Sequence, residues 1–321
     1  MAGLGYSADL QKRMKTSVRE LYSPIQDRVC CDHLRPSERV PVRFMTVFAA
    51  VACSQPSLAQ DVGEAVAPPS GRPGSANAGW SVTVGLAPIL SPAWQGSRDM
   101  AFSVFPDLRI DYDDVLFASV PDGLGWNVVN IAGWKAGPLA KLRFGRDEAN
   151  GGSPFLVTGG SDALRGLGNV GATAELGGFI EKRFGIHRQW RLRAELRRGL
   201  GGHEGVVVDA SAAYQLRQGR AVITMGPRLS AGTSKFMQTY FGIDDVQSQR
   251  SGLAPYRANG GILSYGLGGS LVRPLDDQSA VTVFMGMDRL GGRAARSPLI
   301  RERGQRTQFS VGLGYGYRFG L

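Results

Sequence analysis

From residue 79 onward large apolar side chains recur at every second position, the period of strands whose two faces meet different surroundings. The last segment is the clearest. Phe309, Val311, Leu313, Tyr315, Tyr317 and Phe319 share one parity, while Ser310, Gly312, Gly314, Gly316 and Arg318 take the other. Phe102, Val104, Leu108, Ile110 and Tyr112 alternate with Ser103, Asp107, Arg109 and Asp111. Leu192, Ala194 and Leu196 alternate with Arg191, Arg193, Glu195 and Arg197. The pattern predicts twelve strands near 79–88, 99–111, 113–120, 125–132, 135–145, 169–183, 189–199, 205–217, 220–233, 262–273, 280–290 and 308–319. The segment 113–120 is the least patterned, so ten is the alternative count.

Alternation also describes a soluble sandwich, whose apolar faces turn inward. Three features favour a membrane barrel, in which the apolar face meets lipid and the polar face lines the lumen. The polar face carries glycine as often as charge. Aromatics stand near segment ends, including Trp80, Tyr112, Trp126, Trp134, Phe144, Trp190 and Tyr214, where interfacial girdles need them. The chain stops just past the aromatic-ended strand Tyr317-Arg318-Phe319. Connections sort in the same sense. With both termini on the periplasmic side, the long ones, 146–168, 234–261 and 291–307, all fall outside, and tight ones such as 184–188 and 218–219 fall inside. The fold expected is an all-β, transmembrane, antiparallel up-and-down barrel. It must close, because a lipid-facing edge would leave backbone groups unpaired at several kcal/mol each, on the order given for hydrocarbon.

Before residue 79 the pattern is absent. Arg35, Arg39 and Arg43 precede the apolar stretch Phe44–Ala52, and Ser57-Leu58-Ala59 offers a small-residue cleavage site, the layout of a secretory signal peptide. Residues 1–59 are therefore expected to be an extension plus signal peptide, removed on export, although the stretch before Arg43 is long for that role. Residues 60–78, with Pro68, Pro69 and Pro73, read as a flexible linker, and 79–321 as the barrel.

Composition narrows the chemistry. All three cysteines, Cys30, Cys31 and Cys53, lie before Ala59, so the exported part would have no disulfide, thiolate metal site or cysteine nucleophile. Of the 37 basic and 27 acidic residues, 8 and 5 lie in the first 59, leaving 29 against 22. The arginines are scattered through alternating segments rather than massed, which speaks against nucleic acid and for a charged lumen or lipid headgroups. No apolar run is long enough for a transmembrane helix.

Few residues qualify for catalysis or ligand binding. His187 falls in a tight turn and His203 in a short loop beside Glu204, with no carboxylate at metal-ligand spacing and no nucleophile motif nearby. Gly312-Leu313-Gly314-Tyr315-Gly316 imitates a phosphate loop but opens no helix. No catalytic, cofactor or metal residue is assigned, and no enzyme activity is expected. The loop 234–261 stands apart, with Phe236, Met237, Tyr240 and Phe241 beside Asp244, Asp245 and Arg250. It is expected to fold into the lumen as a plug, with a binding surface as the compatible functional reading. If the lumen were open, Arg109, Arg143, Arg193 and Arg197 would favour anions.

Several ordered motifs carry a family resemblance. Phe236-Met237-Gln238-Thr239-Tyr240-Phe241-Gly242-Ile243, Ser251-Gly252-Leu253-Ala254-Pro255-Tyr256 and Gly260-Gly261 resemble the central signature of the MipA/OmpV outer-membrane family. Arg165–Val170 with Ala172-Thr173, Ser297–Ile300 with Arg303-Gly304, the stretch from Pro92 to Gly96-Ser97, and Tyr317-Arg318-Phe319 resemble further motifs of it. The resemblance runs over 79–321 and implies a barrel without enzymatic activity, in the outer membrane of a Gram-negative bacterium among its lipid and lipopolysaccharide. For the family's best-known member it implies a scaffold that joins a lytic murein transglycosylase to a bifunctional penicillin-binding protein. Other members are described as porin-like or adhesive.

Overall fold

A computed structural model describes residues 79–320. The signal-peptide and linker expectations, the cysteines and Leu321 lie outside the described residues. Within them the chain forms β1 (Trp80–Pro92), β2 (Met100–Tyr112), β3 (Leu116–Ser119), β4 (Gly123–Trp126), β5 (Val129–Ile131), β6 (Trp134–Arg143) and β7 (Leu156–Gly159). Then follow β8 (Thr173–Phe184), β9 (Trp190–Gly201), β10 (Val206–Gln218), β11 (Ala221–Gly232), β12 (Gly261–Pro274), β13 (Ser279–Leu290) and β14 (Thr307–Gly320). Two helices, α1 (Ser234–Phe241) and α2 (Asp245–Ser251), lie between β11 and β12.

All pairings are antiparallel. β1 pairs with β2 on one side and with β14 on the other, which closes the sheet on itself. Twelve staves make the ring: β1 to β4, β6, and β8 to β14. β5 pairs with β6, beside β4, and β7 pairs with β2 where β3 stops. The expected third and fourth strands are the two that differ most. Val120-Pro121-Asp122-Gly123 turns the chain early: Asp122 accepts from the Ser119 hydroxyl at 2.8 Å, and Gly123 adopts a φ of 78°. The fourth segment is then interrupted at Asn127, whose side-chain amide donates to the Asp114 carbonyl at 2.6 Å. β7 lies inside the expected loop 146–168.

Parity falls as the alternation requires. On β14, Phe309, Leu313, Tyr315 and Phe319 are exposed, while Gln308, Ser310, Gly312 and Gly314 are buried. Leu86, Leu176, Leu196, Leu267 and Met287 likewise point out of the ring, each more than half exposed or nearly so. Water would not tolerate such a belt; hydrocarbon would, so this is a transmembrane barrel. The aromatic girdle gathers where the tight turns lie. Trp80 packs on Tyr112 at 4.7 Å, and Trp190 lies between Phe184 and Tyr214. Phe144 departs from the girdle and is 3% exposed.

Inside, glycine makes room for the few large lumen residues. The Phe284 ring of β13 lies across Gly312 of β14, where any Cβ would collide with it, and reaches the buried cluster of Ala87, Ile89 and Phe105.

Candidate functional site

The barrel has two ends: a loop end with the long connections and a turn end with the short ones. At the loop end the connection after β11 folds into a cap. In α1 Phe236, Met237, Tyr240 and Phe241 recur at helical spacing and are all buried. α2 begins with a reciprocal capping box between Asp244 and Gln247, and Gly252 closes it at a φ of 76°. The α1 residues join Leu164 and Leu167 of the loop before β8, and Leu299 and Ile300 before β14, in one apolar core. Ala101, Val207, Leu263 and Leu290 belong to the same core. These four occupy loop-end positions of β2, β10, β12 and β13, on the buried side of each strand. The cap therefore seats its apolar side in the mouth of the lumen, as the plug reading requires. The sequence signal for its helices was present in the 236/237/240/241 spacing and in Asp244-x-x-Gln247.

Polar ties hold the cap down. Arg146 Nη1 donates to the Tyr240 carbonyl at 2.6 Å, and the Ser297 hydroxyl donates to the Phe241 carbonyl at 2.7 Å. Burial lowers the Arg146 guanidinium to about 10, and burial, aided by the Glu175 charge, raises the Tyr240 phenol above its ordinary value.

Below the cap lies a charged layer. Glu175 of β8 accepts from Arg143 of β6 and, at 2.8 Å, from Arg197 Nε of β9. His203, in the loop after β9, places Nε2 3.0 Å from Glu175 Oε1, and its ring meets Phe236 edge-on at 5.0 Å. The Gly205 N–H donates to His203 Nδ1 at 3.3 Å, so Nε2 carries the proton that faces the carboxylate. One layer deeper, Glu195 binds Lys141 at 2.9 Å and Arg193 at 2.8 Å, and Arg197 also reaches Glu195 and Asp209. Arg193 goes on to Glu181 at 3.3 Å and stacks on Phe179 at 4.4 Å.

The four arginines singled out in the sequence all face the lumen. Each is matched by carboxylates: Arg109 by Asp107 at 3.1 Å and Asp122 at 3.3 Å, the other three as above. In the middle of the lumen Lys141, Arg143, Arg193 and Arg197 stand against Glu175, Glu181, Glu195 and Asp209, so no excess of either sign remains there to set an anion preference. Most of the acids lie on the same strand as their bases or on a paired one, while Lys141 of β6 reaches Glu195 of β9 past β8, a proximity that register and curvature create. His187 sits exposed in its turn, as expected for a surface histidine. His203 does not: it is 2% exposed, against a carboxylate 28 residues away in sequence. Glu204, beside it, turns outward to Lys235 at 3.0 Å. Among the described residues no cluster of His, Cys, Asp and Glu could hold a metal ion.

Cavities lie in the lumen beneath the cap. One, of about 70 Å³, lies by Glu195, Asp209 and Asp288; another, of about 120 Å³, forms a vestibule by Arg109, Asp114, Arg183 and Arg318 toward the turn end. Arg191 and Arg193 line both and stand between them.

Comparison with known proteins adds a family. The family described as MltA-interacting protein MipA matches residues 84–319. The motifs at 165–170, 236–243, 251–256 and 297–304 meet in the cap core through Leu167, Phe236, Leu253 and Leu299. No curated protein matches the sequence. Similar solved structures include an outer membrane channel from Pseudomonas putida F1, 13% identical, covering 80% of this chain and 98% of that one, with a TM-score of 0.43. OmpT, an outer membrane protein of Vibrio cholerae, is 6% identical over 75% of this chain and 96% of its own, with a TM-score of 0.33. An anion-selective porin from Comamonas acidovorans is 9% identical over 75% and 98%, with a TM-score of 0.28.

Proposed function

Because the chain belongs to the MipA family, we propose that it is a non-enzymatic outer-membrane scaffold that brings a murein-hydrolysing transglycosylase together with a murein-synthesising penicillin-binding protein. The observation that carries this reading over a diffusion channel is the capped lumen. A cap with its own apolar core fills one mouth, and ion pairs cross the interior beneath it. A channel needs a continuous aqueous path, and a buried, mutually satisfied network of charges is the opposite of one. The family's description as an MltA-interacting protein supplies the partner class, a murein transglycosylase. The outward apolar belt supplies the setting, lipid and lipopolysaccharide of the outer membrane, reached through cleavage of a signal peptide within residues 1–59.

In this orientation the turn end faces the periplasm, where murein enzymes work. Its connections are short, so partner contact falls on the rim of the barrel and on residues 60–78. The test is capture of a lytic murein transglycosylase by the barrel in mild detergent, alongside single-channel recording in planar bilayers. Capture without steady current is the expected result. Repeated failure of capture, together with stable open-channel current, would replace the scaffold with a pore.

A further inference from the structure

The vestibule at the turn end differs in charge from the rest of the lumen. Its lining brings together Arg109, Lys135, Arg183, Arg191, Arg193 and Arg318, against four carboxylates, Asp111, Asp114, Asp122 and Glu181. The middle of the lumen is balanced; the vestibule, with Asp107 behind Arg109 counted as a fifth carboxylate, carries one positive charge in excess. Arg109 is anchored on its floor with a side chain only 9% exposed, and two of its nitrogens are used on Asp107 and Asp122. Its Nη2 is buried without a hydrogen-bond partner among the described residues. A donor left so costs free energy, which makes Arg109 the least satisfied base of the vestibule wall.

We infer that the vestibule is a binding site for an acidic peptide segment, which inserts a carboxylate side chain from the turn-end side. Three features select this occupant. The excess charge is carried mainly by guanidinium groups, whose fork of donors matches a carboxylate with two parallel bonds. The volume of about 120 Å³ admits a side chain and excludes a folded element. Arg191, Arg193 and the ion pairs behind them stand between this cavity and the next, which favours an entering group that stays rather than passes. The exposed apolar tips at the same end, Ile186 at 92% and Leu275 at 51% exposed, give the flanking peptide a surface to lie on. This inference rests on the turn end facing a protein partner, as proposed above, and goes beyond it by naming the chemistry of the contact.

The test uses the full chain in nanodiscs of zwitterionic lipid and fluorescence anisotropy of a fluorescein-tagged hexaglutamate peptide, with hexaglutamine as the comparison. Hexaglutamate binds and hexaglutamine does not. Arg183→Gln with Arg318→Gln weakens binding roughly tenfold or more, the worth of one charge-assisted contact. Arg289→Gln, which alters an outward-facing residue near the loop end, leaves it unchanged. Arg318 lies in the last strand, so Lys135→Gln serves as an independent variant with the same expected direction, and heat-modifiable mobility verifies folding in each case. Equal binding of the two peptides, or wild-type affinity in the folded variants, overturns the proposal. So does complete displacement by inorganic phosphate at matched ionic strength, which would make the vestibule a small-anion site, or loss of binding only when anionic lipid is added, which would assign it to headgroups. Transglycosylase capture is scored separately. Capture without peptide binding removes this site and leaves the scaffold, and peptide binding without capture does the reverse.

Discussion

The loop end and the turn end of this barrel terminate the same twelve staves in opposite ways. At the loop end, long connections carry enough apolar residues to build a second small core, and α1 presses Phe236, Met237 and Phe241, each essentially inaccessible, against strand ends. At the turn end, connections are too short to cover anything, and the lumen ends in a vestibule walled by charge. Sealing a mouth takes buried apolar area, which only a long loop can supply. Leaving one open keeps charged groups hydrated and available to a partner. Between the two lies the ion-pair network, which belongs to neither and connects both through Arg193 and Glu175.

That division can be tested by damaging one end at a time. The largest effect is expected at Glu175, where cap and network meet. Glu175→Ala strands Arg143, Arg197 and His203 in a dry layer and should cost about 3–5 kcal/mol, the typical penalty for breaking a buried pair. Urea unfolding of the barrel in bilayers would show it, and an unchanged midpoint would mean that water already reaches this layer. Next comes Phe236→Ala, expected to cost about 3 kcal/mol from a cavity in the cap. Its signature is local: faster tryptic cleavage at Arg250 or Arg257, with hexaglutamate binding at the other end unaltered. Cleavage at the wild-type rate would show that the cap does not depend on its own core.

Arg146 gives a smaller effect whose sign depends on pH. Its folded value lies at about 10, below the ordinary guanidinium value of 12.5, so carrying the charge costs stability. That cost is fully present below about pH 10 and is relieved as pH rises through 10 toward 12.5. Arg146→Met removes that cost together with the bond to the Tyr240 carbonyl, so it should change cap stability by no more than about 1 kcal/mol at pH 8 and lose ground to wild type by pH 11. A constant difference across that range would contradict the burial account. The smallest change is expected from Glu204→Gln. Glu204 is held below the usual carboxylate range by Lys235, so their pairing contributes above the unfolded value and fades as pH falls through the folded one. The pair is exposed and screened, so thermal midpoints of wild type and variant should coincide at neutral pH.

Much of the fold was legible in advance because a strand in a barrel has only two environments. Phe309 to Phe319 show this, since side chains of one parity must meet lipid and those of the other the lumen. The segment 113–132 was less legible. There Pro121, Gly123 and Asn127 shorten and split strands whose alternation alone ran through, and turn chemistry prevailed over pattern. The candidate site was legible only in halves. Its arginines were visible as inward-facing charges, but their partners were not, because Glu175 meets Arg143 across 32 residues and Arg197 across 22. Pairing of that kind follows from strand register and ring closure, which a linear reading cannot measure.

By itself the sequence determined which residues alternate, how many staves the ring would need, and which connections were long, since each follows from local period and local turn chemistry. The tertiary structure alone decided that the long connections share one core over the mouth, that the lumen charges cancel in its middle, and that they fail to cancel in the vestibule. Electrostatic balance depends on distances between strands, and those distances exist only once the barrel has closed.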